Sequence, residues 1–491
     1  MAKYKLTKST FLRGVNCSKS LWLFEHKPHL LPALTPETKF MYDQGDEVGL
    51  LARELFPGGK SAGPATSLNC DLAVELTGKL ISEWCPVIYE AAFLYDNVFA
   101  ALDILVYKDS GWHGYEVKSS TKVHDLHLTD SALQYWIIEN CGLKLSSFSV
   151  IYINSDFERQ GEIDVRKLFK IEPVTYLVQA LQDEITDQVA QLKKVVARRT
   201  VPNTKIGPQC TSPYTCTFKP HCFASVPKET ILDFTLYRKE ERFRQYHAGT
   251  KQIAQIKDWK NLKTPYNYVV ETHIKKGLYL NPDPLKEFIA KFEYPLQFMD
   301  FETVSFAIPP LDRSRPYDQM TFQYSLHTIE KEGAEPEHRE YLADPSCDFR
   351  EAFIKSLLDD LGTSGHILVW SIGFERSRLN MLSLLYPQYE IRINAVIERL
   401  VDLAIPFQKK WVYDNSLSCS YSIKNVLPCV APDLSYKDMA VNNGQAASVL
   451  FQRIMTEPDR DWSVEREHLL KYCELDTWAM VVIYRYLNTL V

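Results

Sequence analysis

No apolar run in this chain approaches the roughly eighteen residues that a bilayer-spanning helix requires, so no membrane segment is expected. The opening stretch from Met1 to Thr10 carries lysines with no apolar run behind it, which argues against a secretory leader. Internal repeats and low-complexity tracts are missing as well. So is any basic excess: 56 Lys and Arg stand against 62 Asp and Glu, a net charge of −6. That excludes a coat of basic surface. It does not exclude an enzyme acting on nucleic acid, because carboxylates that bind metal make such proteins acidic where they cut, and phosphate-binding cations need only form a local groove. With no leader, the expected location is the cytoplasm, and the eleven cysteines are expected to be thiols, metal ligands or cluster ligands rather than a disulfide framework.

What is present is a chain of 491 residues with 45% hydrophobic and 12% aromatic content, enough for two or three well-packed domains. Periodicity predicts a helix over 38–56, three strands at Val87 to Tyr95, Val98 to Lys108 and Trp112 to Lys118, a helix beginning at Asp130 and ending at Gly142, and a strand at Phe148 to Asn154. A long helix over 175–199 precedes a cysteine-rich loop from Gly207 to Phe223. Residues 226–270 are rich in Lys, Arg, Glu and Gln, the composition of an exposed helical connector. Beyond it, strands are expected at Leu296 to Phe301, Met320 to Thr328 and Ile367 to Ile372, with helices near 349–360, 375–385, 444–455 and 463–489. Strands and helices on both sides of the connector imply two α/β domains.

Two acidic constellations carry the chemistry. In the first, Asp103 is followed thirteen residues later by Glu116-Val117-Lys118. Glu116 and Lys118 are two apart on a strand and so share a face, while Val117 points into the core. Taken alone, such a pair reads most simply as a solvated strand face. However, Asp103 is embedded in the apolar run Ala100 to Val106, where an unpaired carboxylate is costly to desolvate, and Gln134 lies on the helix just after the lysine strand. Asp103 and Glu116 are candidate metal ligands, Lys118 a group that positions the attacking water, and Gln134 a polar contact to substrate or ligand water. These residues resemble the PD-(D/E)XK nuclease core in its RecB-like branch. That branch often carries a helical histidine four residues after a glycine, but here Gly45 is followed at that spacing by Gly49, leaving Glu47 or Glu90 as replacements.

Cys210, Cys216 and Cys222 are spaced C-x5-C-x5-C, unlike the tighter pairs of most structural zinc sites. With Cys17 far upstream, they resemble the cysteine set of iron–sulfur nucleases of the AddB and CRISPR-associated type. The resemblance implies a 4Fe-4S cluster that clips the ends of the domain together; zinc and free thiols are the alternatives.

The second constellation is Asp300-Phe301-Glu302 at the end of an apolar strand, answered by Tyr472 and Asp476 at i and i+4 of a late helix. Either pattern alone is common by chance. At opposite ends of one α/β domain they resemble the DEDD exonucleases of the Y-x3-D subclass, in which Asp300, Glu302 and Asp476 hold metal and Tyr472 orients the water. The middle acid departs from the usual N-x2-F-D: Ser371-Ile372-Gly373-Phe374-Glu375 offers Glu375, and Asp402 is the alternative. Lys424 lies in a polar loop between the later motifs, where it reads equally as a phosphate contact or a plain surface turn residue.

The order resembles a bacterial family of fusion proteins. It implies an α/β fold of two mixed-sheet domains: a restriction-endonuclease-like core (1–225) and an RNase H-like exonuclease core (288–491), joined by a helical connector (226–287). The expectation is a Mg²⁺- or Mn²⁺-dependent nuclease acting on DNA, single-stranded or as duplex ends, in repair or defence. The alternatives are a silent nucleic-acid-binding scaffold and an RNA-directed exonuclease.

Overall fold

The computed structural model describes residues 6–63 and 69–491. The chain forms two compact units, each mixed α/β. One contains the described residues up to Ser225 together with Phe306–Tyr317; the other contains Val226–Ser305 and Asp318–Val491.

The first unit is built on a seven-stranded sheet: β1 (Leu6–Thr7), β2 (Lys60–Ser61), β3 (Val87–Tyr95), β4 (Val98–Lys108), β5 (Gly111–Lys118), β6 (Leu145–Ile153) and β7 (Phe169–Pro173). Strands β2 to β7 lie in sequence order, and β1 pairs with β4. Asp96-Asn97 and Asp109-Ser110, all at positive φ, make the tight turns that join β3, β4 and β5 as an antiparallel meander. β6 then runs parallel to β5 after the crossover helix Asp125–Asn140. That helix starts ahead of the expected Asp130, because His127 Nδ1 accepts the His124 N–H at 3.3 Å and closes an earlier turn. The expected long helix over 175–199 is two helices, Thr175–Ala180 and Gln182–Val196. At the break, the Gln182 side chain donates to Val178 O at 2.6 Å and satisfies a terminal carbonyl. Arg159 holds the 306–317 segment within this unit, its Nη1 donating to Pro309 O at 3.0 Å and Pro310 O at 2.8 Å.

In the second unit, β8 (Leu278–Leu280) pairs with β14 (Val412–Asp414). The main sheet contains β9 (Leu296–Val304), β10 (Met320–Ile329), β11 (Glu337–Leu342), β12 (His366–Val369) and β13 (Leu400–Asp402) in the order β11-β10-β9-β12-β13. The three strands β9, β10 and β11 are antiparallel, and β12 and β13 run parallel to β9. β9 is central and covered on both faces, which is why it reads as a near-continuous apolar run. Phe353 and Leu357 pack on one side. On the other, Phe322 stacks on Phe451 of the helix Gly444–Thr456 at 4.0 Å between ring centroids.

The stretch expected to be an exposed connector belongs to the second unit. Phe234, Phe243, Tyr246, Val269 and Val270 are buried there. Glu229 accepts from His273 Nδ1 at 2.7 Å and from Asn415 Nδ2 at 3.1 Å. Its few apolar residues are large and spaced as anchors, so average composition understates how much it buries. Gly365, at φ +77° just ahead of β12, lies so close to Pro295 that an added Cβ would come 2.0 Å from Pro295 O. Gly365→Ala should therefore cost roughly 2–3 kcal/mol, read as a lower midpoint in urea with unchanged slope.

Candidate functional site

The five residues read as the second constellation meet in one cavity of about 470 Å³, lined among others by Asp300, Glu302, Glu375, Tyr472, Asp476 and Lys424. Asp300 and Glu302 share a face of β9, and Asp476 projects from the helix Ser463–Thr489. One carboxylate oxygen from each of Asp300, Glu302 and Asp476 lies within 4.8 Å of the others. Gly444 begins a helix beside them, and a Cβ there would stand 3.4 Å from Glu302 Oε2.

Burial and mutual repulsion dominate the electrostatics. Desolvation, then the charges of Asp476, Glu302 and Glu375, push Asp300 well above the usual carboxylate range. Glu302 is raised by burial and by Asp476. Asp476 is raised to about 6 by burial, against the hydrogen bond from Tyr436 and the charge of Lys424. Three carboxyls that resist ionising together form a site that a divalent cation would relieve. Glu375, raised to about 8 by burial and then by Asp402, keeps Oε2 buried with no hydrogen-bond partner. The residues therefore fit a bound cation.

Glu375, not Asp402, lines the cavity. Asp402 instead accepts the backbone N–H groups of Ser371 at 3.1 Å, Ile372 at 3.3 Å and Ala404 at 3.0 Å. It thereby fixes Ser371 at φ +72°, directly before the helix that carries Glu375. Tyr472 receives a hydrogen bond from Lys424 Nζ at 3.1 Å, and burial pushes its hydroxyl well above the usual tyrosine range. Tyr436 was not foreseen. Its hydroxyl donates to Asp476 Oδ1 at 2.7 Å from a loop with no motif of its own.

In the first unit, Asp103, Glu116, Lys118 and Gln134 also gather, with two unforeseen partners. The β4–β5 ladder is registered to Ile104 and Tyr115; beyond it Asp103 Oδ2 takes the Val117 N–H at 2.6 Å. Glu116 Oε1 accepts from both Lys118 Nζ and Lys8 Nζ at 2.7 Å, and Lys118 also pairs with Asp130 at 2.5 Å. Gln134 contacts Asp130 at 3.4 Å, one helical turn away. Neither expected replacement joins this group: Glu47 is exposed, and Glu90 pairs with Arg53 at 2.7 Å. Burial alone would raise Glu116, but Lys118 and Lys8 outweigh it and hold the carboxyl far below its ordinary range. Asp103 is raised to about 7, by burial and then by Glu116. Glu116 Oε2 is buried without a hydrogen-bond partner. Among the described residues this group is not one in which three ligand atoms converge within 4.8 Å.

Cys17 follows the helix Lys8–Asn16, and Asn16 Nδ2 donates to Gln209 O at 3.1 Å, bringing it to the later cysteine loop. Cys216 N donates to Cys210 O at 3.0 Å, and Cys216 Sγ contacts Ser20 Oγ at 3.5 Å. Burial raises the thiol of Cys222, and the charges of Cys210, Cys216 and Cys17 raise it further. Among the described residues, no three of their sulfurs converge within 4.8 Å. Zinc bonds of ~2.3 Å would draw tetrahedral sulfurs closer than that.

Residues 297–422 match the model of a domain of unknown function, DUF2779. The DUF2779 segment includes Asp300, Glu302 and Glu375 but ends before Lys424, Tyr472 and Asp476. The chain is 25% identical over 240 residues to "Uncharacterized protein UU173" of Ureaplasma parvum, covering 42% of this chain and 33% of that protein. It is 28% identical over 229 residues to "Uncharacterized protein MG366 homolog" of Mycoplasma pneumoniae, covering 43% and 34%. The chain thus spans about a third of the length of these curated relatives.

The raised carboxyls make a stability prediction for metal-free protein. A carboxyl whose folded pKa exceeds its unfolded value near 3.8 favours the fold when protonated. That advantage is complete below pH 3.8 and is lost as pH rises through about 6, the value for Asp476. Asp300→Asn should therefore raise the melting temperature of metal-free protein at pH 8, by roughly 5 °C, and by less at pH 5.

Proposed function

We propose that the second unit is a divalent-metal-dependent exonuclease of the RNase H-like, DEDD type, acting 3′→5′ on nucleic acid. The observation that carries this reading is the convergence of Asp300, Glu302 and Asp476 within 4.8 Å in a cavity shared with Tyr472. The sheet order β11-β10-β9-β12-β13, with the first two acids on its central strand, supports it. Mg²⁺ or Mn²⁺, held by Asp300, Glu302 and Asp476 with Glu375 beside them, supplies charge neutralisation and water activation at a scissile phosphate when bound. Tyr472, kept protonated by its raised pKa, offers a hydroxyl to orient the attacking water. Lys424 places a cation against that hydroxyl and the phosphate side of the cavity. Trp370 and Phe374 line the same cavity and give stacking surfaces for terminal bases. The preferred substrate is DNA, with RNA the alternative.

For the first unit, the reading is a PD-(D/E)XK nuclease-like core clipped by an iron–sulfur cluster. The support for the clip is the set Cys17, Cys210, Cys216 and Cys222, whose thiols act electrostatically on one another. One observation favours the alternative of a silent nucleic-acid-binding unit. Both lysines sit on Glu116, so its charge is already balanced without a metal. No described helix is long and apolar enough to cross a membrane, and a cytoplasmic site of action accords with the expected reduced cysteines.

The deciding experiment uses anaerobically purified protein, Mn²⁺ and single-stranded DNA labelled at either end. Stepwise shortening from the 3′ end is expected, abolished by chelator. Asp300→Asn should lower the rate at least ~10³-fold, and Tyr472→Phe roughly 10–100-fold. Shortening that survives Asp300→Asn and ends with Lys118→Ala would move the activity to the first unit. Absence of cleavage on both DNA and RNA would remove the exonuclease reading. Cys17→Ser should abolish the visible iron–sulfur absorption of anaerobic protein while leaving the second unit's activity intact.

A further inference from the structure

We propose that His327, His338 and Glu474 form a separate binding site for a zinc-class transition-metal ion, which clamps the helix Ser463–Thr489 onto strands β10 and β11. One ring nitrogen of each histidine and one oxygen of Glu474 lie within 4.8 Å of one another. His327 and His338 are direct partners across the β10–β11 ladder, and their rings stack at 4.5 Å between centroids. His338 Nδ1 stands 3.9 Å from Glu474 Oε1. That is too long for a hydrogen bond, but it is the spacing expected of two ligands flanking one ion with bonds of about 2.0–2.2 Å.

The proton inventory around the pair prepares both rings as ligands. Thr477 Oγ1 contacts Glu474 O at 3.1 Å, which uses its one proton. It must then accept from its two other neighbours, Ser325 Oγ at 2.7 Å and His327 Nδ1 at 2.8 Å. Ser325, having donated to Thr477, must accept from His338 Nε2 at 2.9 Å. Each imidazole is thereby held with its proton on the hydroxyl side, leaving a lone pair on His327 Nε2 and on His338 Nδ1. This is the outer hydrogen-bonding that fixes the tautomer and orientation of metal-bound histidines. His338 and Glu474 remain partly exposed, so an ion has a route in.

Two imidazoles and one carboxylate suit Zn²⁺, or Fe²⁺, Ni²⁺ and Cu²⁺, better than Mg²⁺, which prefers oxygen and water. The donor set thus differs from the all-carboxylate cavity around Asp300. Both sites share one helix, since Glu474 is two residues from Asp476, so the clamp would steady the element that presents Tyr472 and Asp476. The inference concerns metal binding alone and stands whether or not the protein cleaves nucleic acid.

The test is zinc titration of chelator-treated full-length protein, read by bound metal after gel filtration and by thermal melting. Wild type should retain one zinc equivalent more than His338→Gln or Glu474→Gln, and its zinc-induced gain in melting temperature should exceed theirs; Asp300→Asn should lose the same further equivalent when either substitution is added to it. Cobalt(II) in place of zinc should give d–d absorption that disappears in His338→Gln, while any thiolate charge-transfer band from the four cysteines persists. Should a variant fail to fold, wild type alone decides: zinc should protect His338 from diethyl pyrocarbonate, followed by mass spectrometry. Equal zinc content in wild type and in folded His338→Gln and Glu474→Gln, or unprotected His338 at saturating zinc, would overturn the site.

Discussion

Three carboxylates that repel one another are held together at the end of β9, and the second unit is organised around the cost of keeping them there. Asp300 and Glu302 sit on the strand that is covered on both faces, while Asp476 arrives on the long C-terminal helix. The charge of Lys424 opposes the rise at all three without cancelling it, while its ammonium hydrogen-bonds to Tyr472 and Tyr436 donates to Asp476. The packing of Phe322, Phe349 and Phe451 behind them provides rigidity that charge repulsion would otherwise spend in local opening.

The first unit uses similar residue types with the opposite balance. Glu116 is as deeply buried as any acid in the second unit, yet Lys8 and Lys118 both sit on one of its oxygens and a third acid, Asp130, answers Lys118. The carboxyl is consequently held low, whereas its neighbour Asp103 is pushed up. Buried carboxyls of the two clusters, Glu116 in one and Asp300 and Glu302 in the other, are therefore shifted in opposite directions. What distinguishes them is whether lysine side chains reach the carboxylates.

Much of the framework was legible because it depends on local periodicity. β3, β4 and β5 fall where alternation and the turn residues at 96–97 and 109–111 placed them, and the helices at 444–456 and 463–489 follow their apolar spacing. The residues at i, i+2 on a strand and i, i+4 on a helix reach common faces for the same reason. The grouping of Cys17 with Cys210, Cys216 and Cys222 came only from resemblance, since nothing local relates Cys17 to residues two hundred positions away. Residues 226–287 misled, because a few large anchors such as Phe234 and Phe243 bury more than average composition suggests.

By itself, then, the sequence determined which side chains share a strand face or a helix face, and hence the candidates Asp300, Glu302, Tyr472 and Asp476. Only the tertiary structure decided which distant groups meet them. It put Glu375 rather than Asp402 in the cavity, brought Lys8 and Asp130 to Glu116, Tyr436 to Asp476, and His327 and His338 to Glu474. These pairings join residues far apart in the chain, and their distances follow from how sheets and helices pack, which local spacing does not encode.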